Sequence, residues 1–436
     1  MSSSIKNQKN ILAKLGIEKL NPMQEEAQFA VHSLPETVLL SPTGTGKTLA
    51  FLLPIIGELN PKEEEVQALI LAPSRELAIQ IEQVAREMGT GYKINAVYGG
   101  RHFSKDKMEL KHRPALLIGT PGRVADHLRR GTFYTKNIHF LVLDEFDKSL
   151  EVGFEDEMSE IMSFLPNLKK KVLTSATTDA AIPDFVGLDN PTYINYLGDG
   201  VAKLTIKTVI SPDKDKLQTL VDTLSYLGNQ PGIVFLNFKQ SIQRVSDFLT
   251  EKGIPHGCFY GGMEQKDRER ALIKFRNGTH EILLATDLAA RGIDVPEIKF
   301  IIHYHLPLRA QEFTHRNGRT ARMHKEGTAY VLKWAEEELP EFIENPEEQI
   351  IEKSPLPKPA EWKTLFVSGG RKDKISKGDI AGLFFKQGEL KKGQLGIIEL
   401  KQDCAFVAVK ADRIDFLLKM VNNTRLKKKK VRVTVI

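Results

Sequence analysis

Ser41-Pro-Thr-Gly-Thr-Gly-Lys-Thr48 is a run through which a chain can hold a polyphosphate. Gly44 and Gly46 let backbone N–H groups of Thr43 to Gly46 converge on phosphate oxygens at the start of a helix. Lys47 is placed to reach the β- and γ-phosphates, and the Thr48 hydroxyl to ligate Mg2+. Ser41 stands where the strict pattern has glycine. A glycine-rich turn before any helix shares part of this pattern; the strand-to-helix position of Gly46-Lys-Thr48 favours phosphate. About a hundred residues later, Asp144-Glu-Phe-Asp147 ends the apolar run Phe140-Leu-Val-Leu143. A carboxylate at the tip of a buried strand beside a phosphate loop is placed to hold Mg2+, the role expected of Asp144. Glu145 would then orient and deprotonate an attacking water.

Such residues need a scaffold, and the chain supplies one twice. Short apolar runs alternate with turns and amphipathic segments, the pattern of a parallel sheet covered by helices. Strands are predicted at 37–40, 68–72, 95–98, 115–119, 140–143 and 171–174, then at 205–210, 232–236, 257–260, 281–285, 300–303 and 328–332. Leu197-Gly-Asp-Gly200 is the expected joint, giving α/β domains over 1–198 and 199–335. Residues 336–352 carry eight carboxylates and read as a solvated helix, followed by the proline-rich Ser354-Pro-Leu-Pro-Lys-Pro359; together 336–360 form a linker. The last segment, 361–436, has the order β-α-β-β-α-β, with strands at 364–367, 395–399, 404–409 and 431–436 and helices at 377–385 and 412–421.

Charge separates this last segment from the rest. The 436 residues carry net +6, yet residues 362–436 alone hold 18 Lys+Arg against 7 Asp+Glu, so the preceding 361 sum to −5. A basic excess confined to one domain suits a polyanionic partner. Two cysteines, Cys258 and Cys404, cannot build a disulfide framework, and no Cys/His spacing suggests zinc. A reducing compartment fits. The N-terminus lacks the apolar stretch of a signal peptide, and no run nears the ~18 apolar residues of a membrane span. A cytoplasmic protein without a membrane partner is expected, and nothing demands oligomerisation.

The motifs in their order resemble the DEAD-box RNA helicases of superfamily two across nearly all of residues 1–335. Gly16 and Asn21-Pro-Met-Gln24 look like the adenine-reading segment. Ala72-Pro-Ser-Arg-Glu-Leu77, Gly99-Gly100 and Thr120-Pro-Gly-Arg123 look like the RNA-backbone motifs, and Ser175-Ala-Thr177 like the coupling motif. Leu284-Ala-Thr-Asp-Leu-Ala-Ala-Arg-Gly-Ile-Asp294 and His315-Arg-Asn-Gly-Arg-Thr-Ala-Arg322 look like the last two, with Gly261-Gly262, Gln265 and Arg268 between. The resemblance implies two RecA-like domains using ATP and Mg2+. It puts Gln24 and Asp294 on the nucleotide, Arg319 and Arg322 on the γ-phosphate, and Asp147, Ser175, Thr177 and His315 in coupling. Arg75, Gly100, Thr120, Arg123 and Thr286 would contact RNA phosphates and riboses. Phe146 stands where the family has alanine and is expected to alter packing against Ser175-Ala-Thr177. Ile17 replaces an aromatic and Asn317 an aliphatic residue, and Phe235-Leu-Asn-Phe238 is a loose version of its motif.

The tail resembles an RNA-recognition (RRM-like) fold, and with Gly369-Gly-Arg-Lys-Asp-Lys-Ile375 it looks like the appended domain of the DbpA subfamily. That resemblance implies specificity for a hairpin of large-subunit ribosomal RNA, a role in ribosome assembly, and contact with pre-ribosomal particles. Arg371, Lys372 and Lys374, with the run Lys427–Lys430, would meet phosphates; a solvated edge-protecting segment is the other reading of the lysine run. Phe366 and Phe406 are candidates for a base-stacking platform or, equally, for core residues. The expected activity is RNA-dependent ATP hydrolysis with local unwinding; an RNA clamp or annealing protein with low turnover is the alternative.

Overall fold

The computed structural model describes residues 7–178, 181–198, 204–287, 298–320, 327–344 and 346–436. The chain divides into two compact units: the first runs to residue 201, and the second holds a further parallel sheet together with the tail domain. Asp294, Arg322 and residues 199–200 of the expected joint lie outside the described residues.

In the first unit the strands are β1 Glu36–Leu40, β2 Ala68–Leu71, β3 Ile94–Val97, β4 Leu116–Gly119, β5 Phe140–Leu143, β6 Lys170–Ser175 and β7 Thr192–Asn195. They form one sheet in the order β3-β4-β2-β5-β6-β1-β7. All its pairings are parallel. Alternation within the apolar runs divides the core in two. From β2, Ala68 and Ile70 join one cluster with Phe51, Ile55 and Ile81. Leu69 and Leu71 join the other with Leu117, Val124 and Met158. Helices therefore cover both faces, which is why these strands read as unbroken apolar runs. Sheet order brings the C-terminal ends of β5, β6 and β1 side by side, where open α/β sheets place ligand-binding loops.

The second unit repeats the plan with β8 Leu204–Ser211, β9 Gly232–Phe235, β10 His256–Phe259, β11 Ile282–Ala285, β12 Phe300–His303, β13 Gly327–Trp334 and β14 Glu347–Glu348, ordered β10-β11-β9-β12-β13-β8-β14. Residues 336–352 do not form the solvated helix that their charge suggested. The segment runs back along the sheet, where β14 pairs in parallel with β8. Ile343 enters a cluster with Phe313 and Val331, and Glu337 takes the buried Lys216 ammonium at 3.0 Å. Pro340 and Pro346 interrupt any helical run there.

The tail forms the four-stranded antiparallel sheet β16-β17-β15-β20 from β15 Trp362–Val367, β16 Leu395–Leu400, β17 Ala405–Lys410 and β20 Val433–Val435, plus a hairpin of β18 Thr424–Leu426 and β19 Lys429–Val431. Helices Lys377–Lys386 and Ile414–Val421 pack on the face bearing Leu365, Val367, Val407 and Val409. The predicted final strand is in fact broken at Arg432 into the end of β19 and the start of β20, and Lys427 at φ +54° turns the β18–β19 hairpin before it. No helix among the described residues is long and apolar enough to cross a membrane.

Candidate nucleotide and RNA site

The loop after β1 has the conformation that its glycines permit. Gly44 and Gly46 take φ of +84° and +87°, left-handed values that a side chain disfavours. Gly46 caps the helix Lys47–Glu58. Before it, Asn21 and Gln24 form a reciprocal capping box at the start of helix Pro22–Ser33. Both side chains also reach the phosphate loop. Asn21 Nδ2 donates to the Thr45 carbonyl at 3.0 Å, and Gln24 Nε2 to the Gly46 carbonyl at 3.2 Å. The residue expected to read adenine is thus anchored to the loop expected to hold phosphate. Lys47 is buried, and its ammonium donates to the Ser41 and Pro42 carbonyls at 2.6 and 2.9 Å, which folds it back under the loop. Thr43, Thr45 and Thr48 are half-buried.

Asp144 and Glu145 stand at the tip of β5, two strands from the phosphate loop in sheet order. One hydroxyl ties them together. Thr174 Oγ1 on β6 donates to Asp144 Oδ1 and accepts from the Glu145 amide at 3.0 Å. Glu145 has φ +47°, a strained conformation for a residue with a side chain. Burial, then the neighbouring Glu145 charge, pushes the Asp144 carboxyl up to about 6 against the opposing pull of Thr174 and Lys47. Two adjacent carboxylates, almost wholly buried and short of positive charge, are a donor set that fits a cation. Among the described residues no three His, Cys, Asp or Glu side chains gather around a point. An ion held by Asp144 and Thr48 would complete its shell with phosphate and water oxygens, the habit of Mg2+.

Phe146 turns away from the carboxylates into the core. It is buried in the core beneath the sheet with Leu143, Met158 and Leu173. Asp147, also buried, lies 3.5 Å from the Thr177 hydroxyl. Ser175 Oγ accepts from the Thr177 amide at 3.0 Å, and the Ser175 carbonyl accepts from the Ser41 amide at 3.0 Å. The expected coupling residues of the first lobe are therefore in a bonded path to the phosphate loop.

Of the expected RNA contacts in this unit, Arg75 lies across the Gly99-Gly100 turn. A Cβ on Gly100 would stand 2.4 Å from Arg75 Nη1. Thr120 begins the helix Pro121–Arg129. Arg123 is held in place by Asp106, whose carboxylate lies 2.8 Å from its Nε and 2.7 Å from its Nη2. Asp106 also pairs with Arg101 at 3.3 Å and is 1% exposed. Neither it nor Thr174 is marked by a motif. A polar residue within the apolar run Val172-Leu-Thr174 could have flagged the second; Asp106 sits in a charged helix and gave no signal.

In the second unit Arg316 is the largest fully buried side chain. It donates to Asp287 through Nε at 2.6 Å, to Asn237 through Nη2 at 2.8 Å and to the His305 carbonyl at 2.8 Å. One side chain thus binds together the three late motifs. Asn317, unusual for its position, bonds His303 Nε2 at 3.0 Å. Burial and the Arg316 charge push His303 down to about 3, so the neutral ring donates to Asn317. Thr286 and His315 are half-buried, and Arg319 is buried. In the tail, Arg371, Lys372 and Lys374 are exposed beside the lysine hairpin, where Lys429 pairs with Asp373 and Lys427 with Asp379.

Comparison with known proteins agrees with this arrangement. Residues 21–185 match the DEAD/DEAH box helicase family, 215–324 the helicase conserved C-terminal domain and 364–435 the DbpA RNA binding domain. The ATP-dependent RNA helicase DbpA of Bacillus subtilis is 31% identical, with 97% of this chain and 96% of that protein covered. The Escherichia coli DbpA is 31% identical over 98% and 96%. Among solved structures, Saccharomyces cerevisiae Dbp5 bound to RNA and ADP BeF3 is similar with a TM-score of 0.67 and 27% identity, covering 76% of this chain and 89% of that one. With a phosphate loop, a paired-carboxylate strand tip, two RecA-like sheets and a DbpA-type RNA-binding domain in one polypeptide, the chain belongs to the DEAD-box ATP-dependent RNA helicases of the DbpA type.

Proposed function

We propose that this helicase opens short stretches of structured ribosomal RNA of the large subunit during ribosome assembly, with the tail domain selecting the RNA. The observation that supports it most is the tail itself: a DbpA RNA-binding domain over 364–435 that carries the chain's whole basic excess. Bound Mg2+ would neutralise charge developing between the β- and γ-phosphates. Lys47 and the backbone of Thr43 to Gly46 would hold the triphosphate, Thr48 and Asp144 would hold the ion, and Gln24 would read adenine with Asp294 also on the nucleotide. Glu145 would take a proton from the attacking water, and Arg319 and Arg322 would stabilise the transferring phosphoryl group when RNA is in place. An arginine so placed is worth roughly 10³–10⁵ in rate, enough to make hydrolysis depend on RNA.

Arg75, Gly100, Thr120, Arg123 and Thr286 would grip the RNA backbone, where contacts carry no sequence information. Such binding is weak, roughly 10⁻⁴–10⁻⁶ M at physiological salt. A joined domain that holds one RNA raises the local concentration of that RNA to about millimolar, so a sequence-blind motor works at one address. Nucleic-acid stacking of about 1.4 kcal/mol per base-pair step, a DNA value, puts a few pairs within reach of one cycle. The low-turnover clamp gains nothing from Phe146, which is a core residue. Steady-state ATP hydrolysis with and without RNA is the test. Lys47→Ala and Glu145→Gln should each remove RNA-stimulated turnover, and near wild-type rates in either would refute the assigned roles.

A further inference from the structure

Strand β15 has two faces. Leu365 and Val367 point to the helices of the tail domain. Thr364 and Phe366 point the other way, opposite Ala408 and Phe406 on β17. In RNA-recognition folds this second face is where aromatic rings stack on bases. Here much of it is covered: Thr364 has no exposed surface, Ala408 is 1% exposed and Phe406 4%, while Phe366 beside it is half-buried.

What covers Thr364 is the second helicase lobe. Asn277 Nδ2 donates to Thr364 Oγ1 at 3.1 Å, and the hydroxyls of Thr279 and Thr364 are bonded at 2.8 Å. Both lobe residues are buried. Between them Gly278, at φ +69°, lies against Trp362, whose ring would stand 3.5 Å from a Cβ there. At the edge of the sheet four charges alternate in sign. Arg276 meets Glu399 at 2.8 Å, Glu399 meets Lys401 at 2.6 Å, and Lys401 meets Glu269 at 2.7 Å. Burial alone would raise the Glu399 carboxyl, yet Arg276 and Lys401 hold it below the ordinary 4.5. A third tie fixes the end of the linker: the Asn229 amide bonds both main-chain groups of Lys358, at 2.7 and 2.8 Å. Glu399 is the most shielded of the four, and it has a cation on either side, one from the lobe and one from its own domain.

We propose that the sheet face of the RNA-binding domain is a docking surface for the second helicase lobe, not a base-stacking platform, and that the domain works as a rigid extension of that lobe. RNA is then held by surface that stays open, Arg371 and Lys372 included, at a set distance from the motor. This goes beyond the ribosomal RNA reading, which requires only that the two be joined.

The test locks the interface in the full chain, with Cys258 and Cys404 changed to serine and Thr279→Cys and Thr364→Cys introduced. The two hydroxyls are near enough for the replacing sulfurs to bond. Copper-catalysed air oxidation, whose oxidant is small enough to reach packed thiols, should close the disulfide almost completely, with or without RNA. The closed protein should keep RNA-stimulated ATPase, unwinding and affinity for a large-subunit ribosomal RNA hairpin within about twofold of its reduced form. A yield below half overturns the proposal. So does a tenfold loss of hairpin binding reversed by reductant, the signature of a base platform, or unwinding lost with binding kept, the signature of a domain that must undock. Failure of the hairpin to bind even the reduced protein counts against the ribosomal RNA reading, while the yield still decides docking. If the cysteine pair does not fold, hydrogen exchange of the unsubstituted chain decides. Docking predicts no change at 362–367 and 405–410 on adding the hairpin, and a platform predicts new protection there.

Discussion

Thr174 and Asp106 show how much of the chemistry at single residues depends on a partner remote in sequence. Thr174 fixes the two carboxylates of the strand tip with one oxygen. Asp106 does the same for two arginines, and Phe103 closes the corner by stacking on His127 at 4.4 Å with the Arg123 guanidinium 5.0 Å from its ring centre. Burial opposes the Asp106 charge, while His127, Arg123 and Arg101 hold its carboxyl below the ordinary 3.8. The carboxylate therefore adds stability above that pH, and the contribution is lost as pH falls through the lowered value. Asp106→Asn leaves Arg101 with Glu109 at 2.8 Å and Arg123 with the more distant Asp126 at 3.8 Å, and losing the charge-assisted bonds to Asp106 costs about 1.5–3 kcal/mol. Arg123 and the helix start at Thr120 should then drift. The expected outcome is a melting temperature several degrees lower and a raised RNA concentration for half-maximal ATPase, with the maximal rate kept. An unchanged RNA requirement would make Asp106 structural only. Motif residues such as Lys47 and Asp144 were legible because their chemistry dictates their type and spacing. Thr174 and Asp106 were not, since only the fold tells which hydroxyl or carboxylate faces them.

At the level of elements, the central strands followed from composition because both faces of each are buried, so every residue of Ala68–Leu71 or Phe140–Leu143 had to be apolar. The strands that escaped are short edges. β7, β14 and the β18–β19 hairpin pair on one side or with one neighbour, and their exposed positions erase the apolar signal. The acidic segment is the clearest case: its eight carboxylates described the solvent side, while Ile343 and the pairing of Glu347 with Lys207 along β8 fixed its path. Junctions were easier, because glycine marks them. At Gly46 two demands coincide: φ is +87°, and a Cβ would lie 2.3 Å from Gln24 Nε2. Gly46→Ala therefore strains the turn by roughly 1–2 kcal/mol and pushes the Gln24 amide off the loop. ATP affinity should fall at least tenfold in a fluorescent-nucleotide titration, with near-normal circular dichroism. Retained affinity would show that the loop reshapes when nucleotide binds.

For the whole molecule the charge map divides the labour. A net −5 over the first 361 residues gives the motor little long-range pull on RNA, whereas +11 in the tail gives a strong one. Part of that charge is already matched, since Lys427, Lys429 and Lys401 pair with carboxylates. Arg371 and Lys372 are exposed at the end of β15, on the turn Arg371–Asp373. If both touch phosphate, Arg371→Ala with Lys372→Ala removes two contacts, and the slope of log affinity against log salt should flatten by about 1.4, at ~0.7 per single-strand contact. Full-length protein would be titrated with a large-subunit ribosomal RNA hairpin and with hairpin-free polyuridine between about 50 and 200 mM salt, the range over which such contacts lose most affinity. The hairpin should need a higher concentration for half-maximal ATPase in the double variant, while polyuridine stimulates both proteins alike because only the core grips it. An equal loss on both RNAs would place these two cations in general attraction and move selection to another part of the tail.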